Sequence, residues 1–200
     1  MIKNLRLLAV PFILTALLSQ MILERMMLLK NGTLVELQTV PVDPRSLFRG
    51  DYVILTYDIS RLDLLVLPGD TDFSKGEKIF VTLAKPTDQE TATWEAASVW
   101  KTYPALTEDE IAIAGRVTYS RNYTCENISE EAKERCTVTH TLDVDYGIES
   151  FFVPEGEGKP LENQRNAGAV TVRVAVDKTG KAGIKSLAVD GQTVHSETLF

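Results

Sequence analysis

The apolar run from Leu7 to Leu23, interrupted only by Pro11, Thr15, Ser19 and Gln20, restricts this chain more than any other feature. A helix lying on a soluble core carries a polar stripe, and Leu7 to Leu18 lacks one. The four interruptions are residues that a membrane helix tolerates. At 1.5 Å per residue the run covers about 26 Å, against a hydrocarbon core of about 30 Å. The span must therefore thin the bilayer slightly or continue past Glu24-Arg25 into Met26 to Leu29. A cleaved leader is the competing reading, but the segments around Leu18-Ser19-Gln20 and Glu24-Arg25-Met26 are too bulky for a small-x-small cleavage site. We therefore expect an uncleaved anchor over residues 1–30. Lys3 and Arg6 stay in the cytoplasm, the chain crosses the cell membrane once, and residues 31–200 are exported.

Beyond the anchor the sequence predicts a mainly β domain with one or two short helices. Strand signals, β-branched or aromatic runs between turn residues, recur over 33–40, 51–59, 63–67, 78–84, 93–102, 111–119, 137–144, 149–153, 169–176 and 184–189. Pro68-Gly69-Asp70, Lys75-Gly76, Pro86-Thr-Asp88, Asp177-Lys-Thr-Gly180 and Asp190-Gly191 supply the turns, and the last two frame a C-terminal hairpin-like pair. Helix signals are confined to 158–166, with Pro160 near the start, and to a segment capped by Asn127. No linker or repeat divides the domain, so Lys30-Asn31-Gly32 is the expected hinge between anchor and domain. The net charge of −7 comes from interspersed residues with no basic stripe, which excludes nucleic acid as a partner class. Cys125 and Cys136 bracket a short polar loop, and in an exported chain such a pair predicts a disulfide.

The densest constellation lies between Pro41 and Tyr57, where Asp43, Arg45, Arg49 and Asp51 surround one turn and one strand. Gly50-Asp51-Tyr52-Val53-Ile54-Leu55-Thr56-Tyr57 matches the Gly-Asp-Tyr-x-x-Leu-x-Tyr signature letter for letter, and so resembles the GDYXXLXY family of bacterial membrane-anchored proteins. Tyr146-Gly-Ile-Glu-Ser-Phe-Phe-Val-Pro-Glu-Gly-Glu-Gly158 resembles the family's second block, and 169–191 its closing strand pair. The resemblance implies a shared fold and a membrane-tethered location. It implies no reaction and no cofactor.

Within the signature, alternation sends Tyr52, Ile54 and Thr56 one way and Asp51, Val53, Leu55 and Tyr57 the other, as in a strand between a core and a covering element. The charged residues of the turn can bind a polar ligand or protonate a substrate. The architectural reading is simpler: Arg45 or Arg49 pairs with a carboxylate, Gly50 frees the backbone, and the two tyrosine rings pack on a sheet. Trp94 and Trp100 are expected on one face of a strand, packed in the core. Neither Asp70/Asp72 nor Asp143/Asp145 has the Gly and distal Glu of a calcium loop, so both pairs are expected to be solvated. His140 and His195 do not complete a zinc pattern with the cysteines.

Two functions follow. The first is a tethered module that binds envelope or integral membrane proteins. The second is a serine–lysine hydrolase of the signal-peptidase type with Ser46 as nucleophile. The second lacks a Ser-Met-x-Pro element, and none of Lys75, Lys78, Lys85 and Lys101 stands in a partner motif.

Overall fold

The computed structural model describes residues 2–40, 52–85, 93–123, 138–152 and 170–197. It is mostly β, preceded by one long helix, α1, over Ile2–Asn31. The segment Val10–Asn31 is long and apolar enough to cross a membrane, and its side chains from Val10 to Leu23 stand largely exposed. Thr15 donates its hydroxyl hydrogen to the Pro11 carbonyl at 2.8 Å, so this hydroxyl needs no water inside a bilayer.

The helix does not stop at the apolar run. It passes through Glu24-Arg25 because both charges find partners on the domain. Glu24 lies 3.6 Å from the Lys181 ammonium, and Arg25 lies 3.2 Å from the Glu197 carboxylate. One turn later Leu28 and Leu29 are buried, at a point where α1 touches two strands, β9 (Val170–Val176) and β10 (Ala182–Val189). Gly32 then turns the chain into β1 (Thr33–Gln38). Its amide donates to the Leu28 carbonyl at 2.9 Å, and a Cβ at Gly32 would stand 2.6 Å from that oxygen. The junction expected as a hinge is thus packed on its own domain.

The domain is built on two antiparallel sheets. One has four strands in the order β1-β9-β10-β11, with β11 over Gln192–Ser196. The other has five, in the order β3-β7-β6-β4-β5. Here β3 is Arg61–Asp63, β4 Lys78–Ala84, β5 Glu95–Trp100, β6 Glu110–Tyr123 and β7 Thr139–Asp145. A separate ribbon pairs β2 (Tyr52–Ile54) with β8 (Ser150–Phe152). All three contribute to one buried cluster, with Val35, Leu37, Val172 and Leu187 from the first sheet and Ile79, Val81, Ile113 and Leu142 from the second. Among the described residues, Trp94 donates to Glu36 and Ala114 to Gly180 in the β9–β10 turn, tying the two sheets, and Val40 donates to Thr56, tying the first sheet to the segment after β2.

Several expected strands change extent for local reasons. The strand expected over 63–67 is a turn, because the Asp63 side chain accepts the Leu65 amide at 3.0 Å and the Asp63 carbonyl accepts Leu67. The strand expected over 51–59 ends at Ile54, and Asp58–Ser60 forms a single 3₁₀ turn. The C-terminal hairpin pair is present at both expected turns, and β11 follows Asp190-Gly191, whose φ values of 50° and 78° suit a tight hairpin. Trp94 packs against the core ahead of β5, while Trp100 is half-buried and donates its indole N–H to Ser98. A register shift between Thr82 and Leu83 interrupts the alternation expected to align the two tryptophans. The helices expected at 158–166 and after Asn127 lie outside the described residues.

Candidate functional site

The signature strand β2 pairs with β8, and β8 belongs to the second family-like block. Tyr52 lies opposite Phe152, Val53 opposite Phe151 and Ile54 opposite Ser150. The ladder continues one step, with the Leu55 amide donating to the Glu149 carbonyl at 2.8 Å. The expected alternation holds on the inner side: Val53, Leu55 and Tyr57 are each 1% exposed, whereas Ile54 and Thr56 are half-buried. An isolated bridge between Tyr57 and Thr39 fastens the same segment to the end of β1.

Two buried phenols complete the attachment. Tyr57 donates its hydroxyl to the Ile148 carbonyl at 2.6 Å, and Tyr146 donates its own to the Ile59 carbonyl at 2.7 Å. Burial, reinforced by the charge of Glu149, pushes both phenols well above their ordinary value, so both stay protonated donors. Glu149 accepts the Tyr146 amide at 2.6 Å. Burial raises its carboxyl to about 7, and a hydrogen bond with Asp145 adds to the rise. The same hydrogen bond, together with the Gly147 amide at 2.8 Å, holds Asp145 below the usual carboxylate range. The shared hydrogen bond thus acts in opposite directions on the pair, raising Glu149 and lowering Asp145.

Tyr57, Asp145 and Glu149 line a cavity of about 850 Å³ together with Asp58, Arg61 and Asp143. Arg61 bonds Asp143 at 2.9 Å across β3 and β7. Asp58 is raised by its own burial and by Glu95. A carboxyl that titrates near 7 beside an ionised one can donate or accept a proton at neutral pH. The hydroxyl of Tyr57 is committed to a main-chain carbonyl and supplies no nucleophile. Among the described residues no group of three or more His, Cys, Asp and Glu side chains is placed to hold a metal ion.

Of the residues singled out in the sequence, Tyr52, Leu55 and Tyr57 are brought together on this ribbon. Asp43, Arg45, Ser46, Arg49, Gly50 and Asp51 lie outside the described residues, as do Cys125 and Cys136. Among the candidate lysines, Lys78 lies over the Phe80 ring, and Lys101 stands over Phe73 and 3.5 Å from Glu77. Asp143 and Asp145 are not the bare solvated pair expected, since one bonds Arg61 and the other Glu149. Asp70 likewise accepts the Lys101 amide at 2.8 Å. Sequence reasoning passed over Tyr146 and Glu149. Their signal was the Asp145-Tyr-Gly-Ile-Glu149 spacing, in which a glycine turn, φ 75° at Gly147, folds two carboxylates together.

Neither a curated protein nor a solved structure matches the chain. The family model described as GDYXXLXY protein matches residues 14–187, most of the chain, from within α1 to within β10. On that extent of match, the chain belongs to the GDYXXLXY protein family.

Proposed function

We propose that this protein is a membrane-anchored β module that acts by binding, with integral membrane or envelope proteins as its partners. One observation carries the reading. An apolar helix with exposed side chains from Val10 to Leu23 is joined without a free linker to a folded β domain, through Leu28, Leu29 and two ion pairs. A helix held this way transmits the position of the domain to whatever its apolar face meets in the bilayer. Lys3 and Arg6 orient the N-terminus toward the cytoplasm, and the domain stands on the opposite side.

Photo-crosslinking from Leu14 and Leu18, both more than half exposed, tests it. Capture of a defined integral membrane protein supports the reading, and products confined to lipid contradict it. A serine-directed reagent that labels Ser46 and fails to label it after a Lys→Ala change would favour the tethered hydrolase instead.

A further inference from the structure

Where α1 leaves the apolar run it meets a second, smaller cleft, of about 510 Å³, beside the β9–β10 turn. Three cations line it: Arg25 from the helix, Lys78 from the start of β4 and Lys181 from the turn. Thr179 and Gly147 add small polar groups, and among the described residues no carboxylate lines it. Its cations come from distant parts of the sequence and are held in place. The Arg25 guanidinium lies over Gly183, where a Cβ would come within 2.5 Å of it, and is steadied from behind by Glu197. Lys181 is steadied by Glu24, and Lys78 lies 4.9 Å from the Phe80 ring centroid.

We propose that the cleft bounded by Arg25, Lys78 and Lys181 binds the phosphate of an anionic phospholipid headgroup in the leaflet from which the helix emerges. The proposal rests on the anchor reading above. Depth argues for the membrane as the source. Arg25 is two residues past Leu23, roughly 3 Å along the helix axis, and the headgroup layer occupies about 5 to 7 Å beyond the hydrocarbon on each side. With the hydrocarbon edge at Leu23, where the exposed apolar run ends before Leu28 and Leu29 pack on the domain, the cleft opens at the level of lipid phosphates. Phe152, 78% exposed, lines the neighbouring cleft that shares Arg25, and an exposed aromatic ring suits a membrane interface. Sign argues for an anion. The chain as a whole carries −7, yet the charged side chains lining this cleft are all positive, and they outnumber the two carboxylates, Glu24 and Glu197, that pair Lys181 and Arg25 from outside the lining.

The test uses the full chain in nanodiscs of phosphatidylcholine mixed with phosphatidylglycerol, with retained lipid identified by native mass spectrometry. Retention of phosphatidylglycerol in preference to phosphatidylcholine, reduced about tenfold in Lys78→Ala/Lys181→Ala, is expected. The Lys78→Arg/Lys181→Arg variant keeps the charge and is expected to keep the preference, which separates a lipid contact from a folding defect. Equal retention of the two lipids, or a preference unchanged in the alanine variant, overturns the proposal. Binding of glycerol 3-phosphate with the same lysine dependence and no lipid preference assigns the cleft to a soluble phosphate and also overturns it. A chain that fails to enter nanodiscs removes the anchor itself, an outcome distinct from entry without preference.

Discussion

Tyr57 and Tyr146 are bound reciprocally, each buried phenol crossing to the segment that carries the other, at 2.6 Å to the Ile148 carbonyl and 2.7 Å to the Ile59 carbonyl. Tyr57 closes the signature and Tyr146 opens the second block. The two sequence blocks are therefore two halves of one attachment, supported by the β2–β8 ladder and by Glu149 behind it.

Tyr57→Phe and Tyr146→Phe each remove a buried donor from a main-chain carbonyl. Each is expected to cost about 1 to 3 kcal/mol. Thermal melting of the purified full chain in detergent measures both. A double variant that loses less than the sum of the single losses marks the two bonds as one coupled unit.

Glu149 gives the fold a pH dependence whose sign is fixed. Its carboxyl sits at about 7 in the folded chain, above the ordinary 4.5, so the folded state binds the extra proton between those values. That contribution is complete below about 4.5 and is lost as the pH rises toward 7. Asp145, held low, works the other way: its contribution is present above its ordinary 3.8 and is lost as the pH falls below that range. Glu149→Gln keeps the acceptor for the Tyr146 amide and carries no charge. Melting temperatures across pH 4.5 to 7 are expected to vary less in this variant than in the parent. An unchanged slope would place the titration elsewhere.

Gly69 and Gly76 both adopt positive φ, at 125° and 86°, but only one is crowded. A Cβ at Gly69 would fall within 1.9 Å of the Val99 carbonyl oxygen, where an isolated bridge joins the two residues, whereas at Gly76 nothing lies within 4 Å. Gly76→Ala is expected to cost about 1 kcal/mol for the backbone alone. Gly69→Ala must also displace the end of β5 at Val99 and is expected to lower the melting temperature several times as much.

The sequence announced most of the fold through local chemistry, and it failed where partners are distant. The period-2 run at 78–84 and the turns at Asp177-Gly180 and Asp190-Gly191 carry their own signals, and the structure follows them. Asp63 to Leu67 looked like a strand by composition, and the Asp63 side chain, accepting the Leu65 amide, converted it to a turn. The helix end could not be placed from hydropathy. Glu24 and Arg25 look like a stop until Lys181 and Glu197, over 150 residues away, neutralise them. The same holds at the site. Tyr57 was visible as part of a motif, but its partner carbonyl at Ile148 is fixed only by the three-dimensional pairing of β2 with β8.

Docking of the helix rests on apolar contact more than on its ion pairs. Leu28 and Leu29 are 4% and 2% exposed, and truncation of either to Ala is expected to cost about 2 to 5 kcal/mol. Arg25–Glu197 and Glu24–Lys181 are substantially exposed, and breaking either is expected to cost under about 1 kcal/mol. Chemical denaturation of the four single variants ranks them, and a larger loss at Arg25 than at Leu28 would reverse this assignment.

The most direct test of an anchored module is the membrane partition of the full chain. After extraction of membranes at alkaline pH with carbonate, the account predicts that the intact chain stays in the pellet and that protease reaches the β domain only from the side opposite Lys3 and Arg6. Release of the intact chain into the supernatant would contradict it.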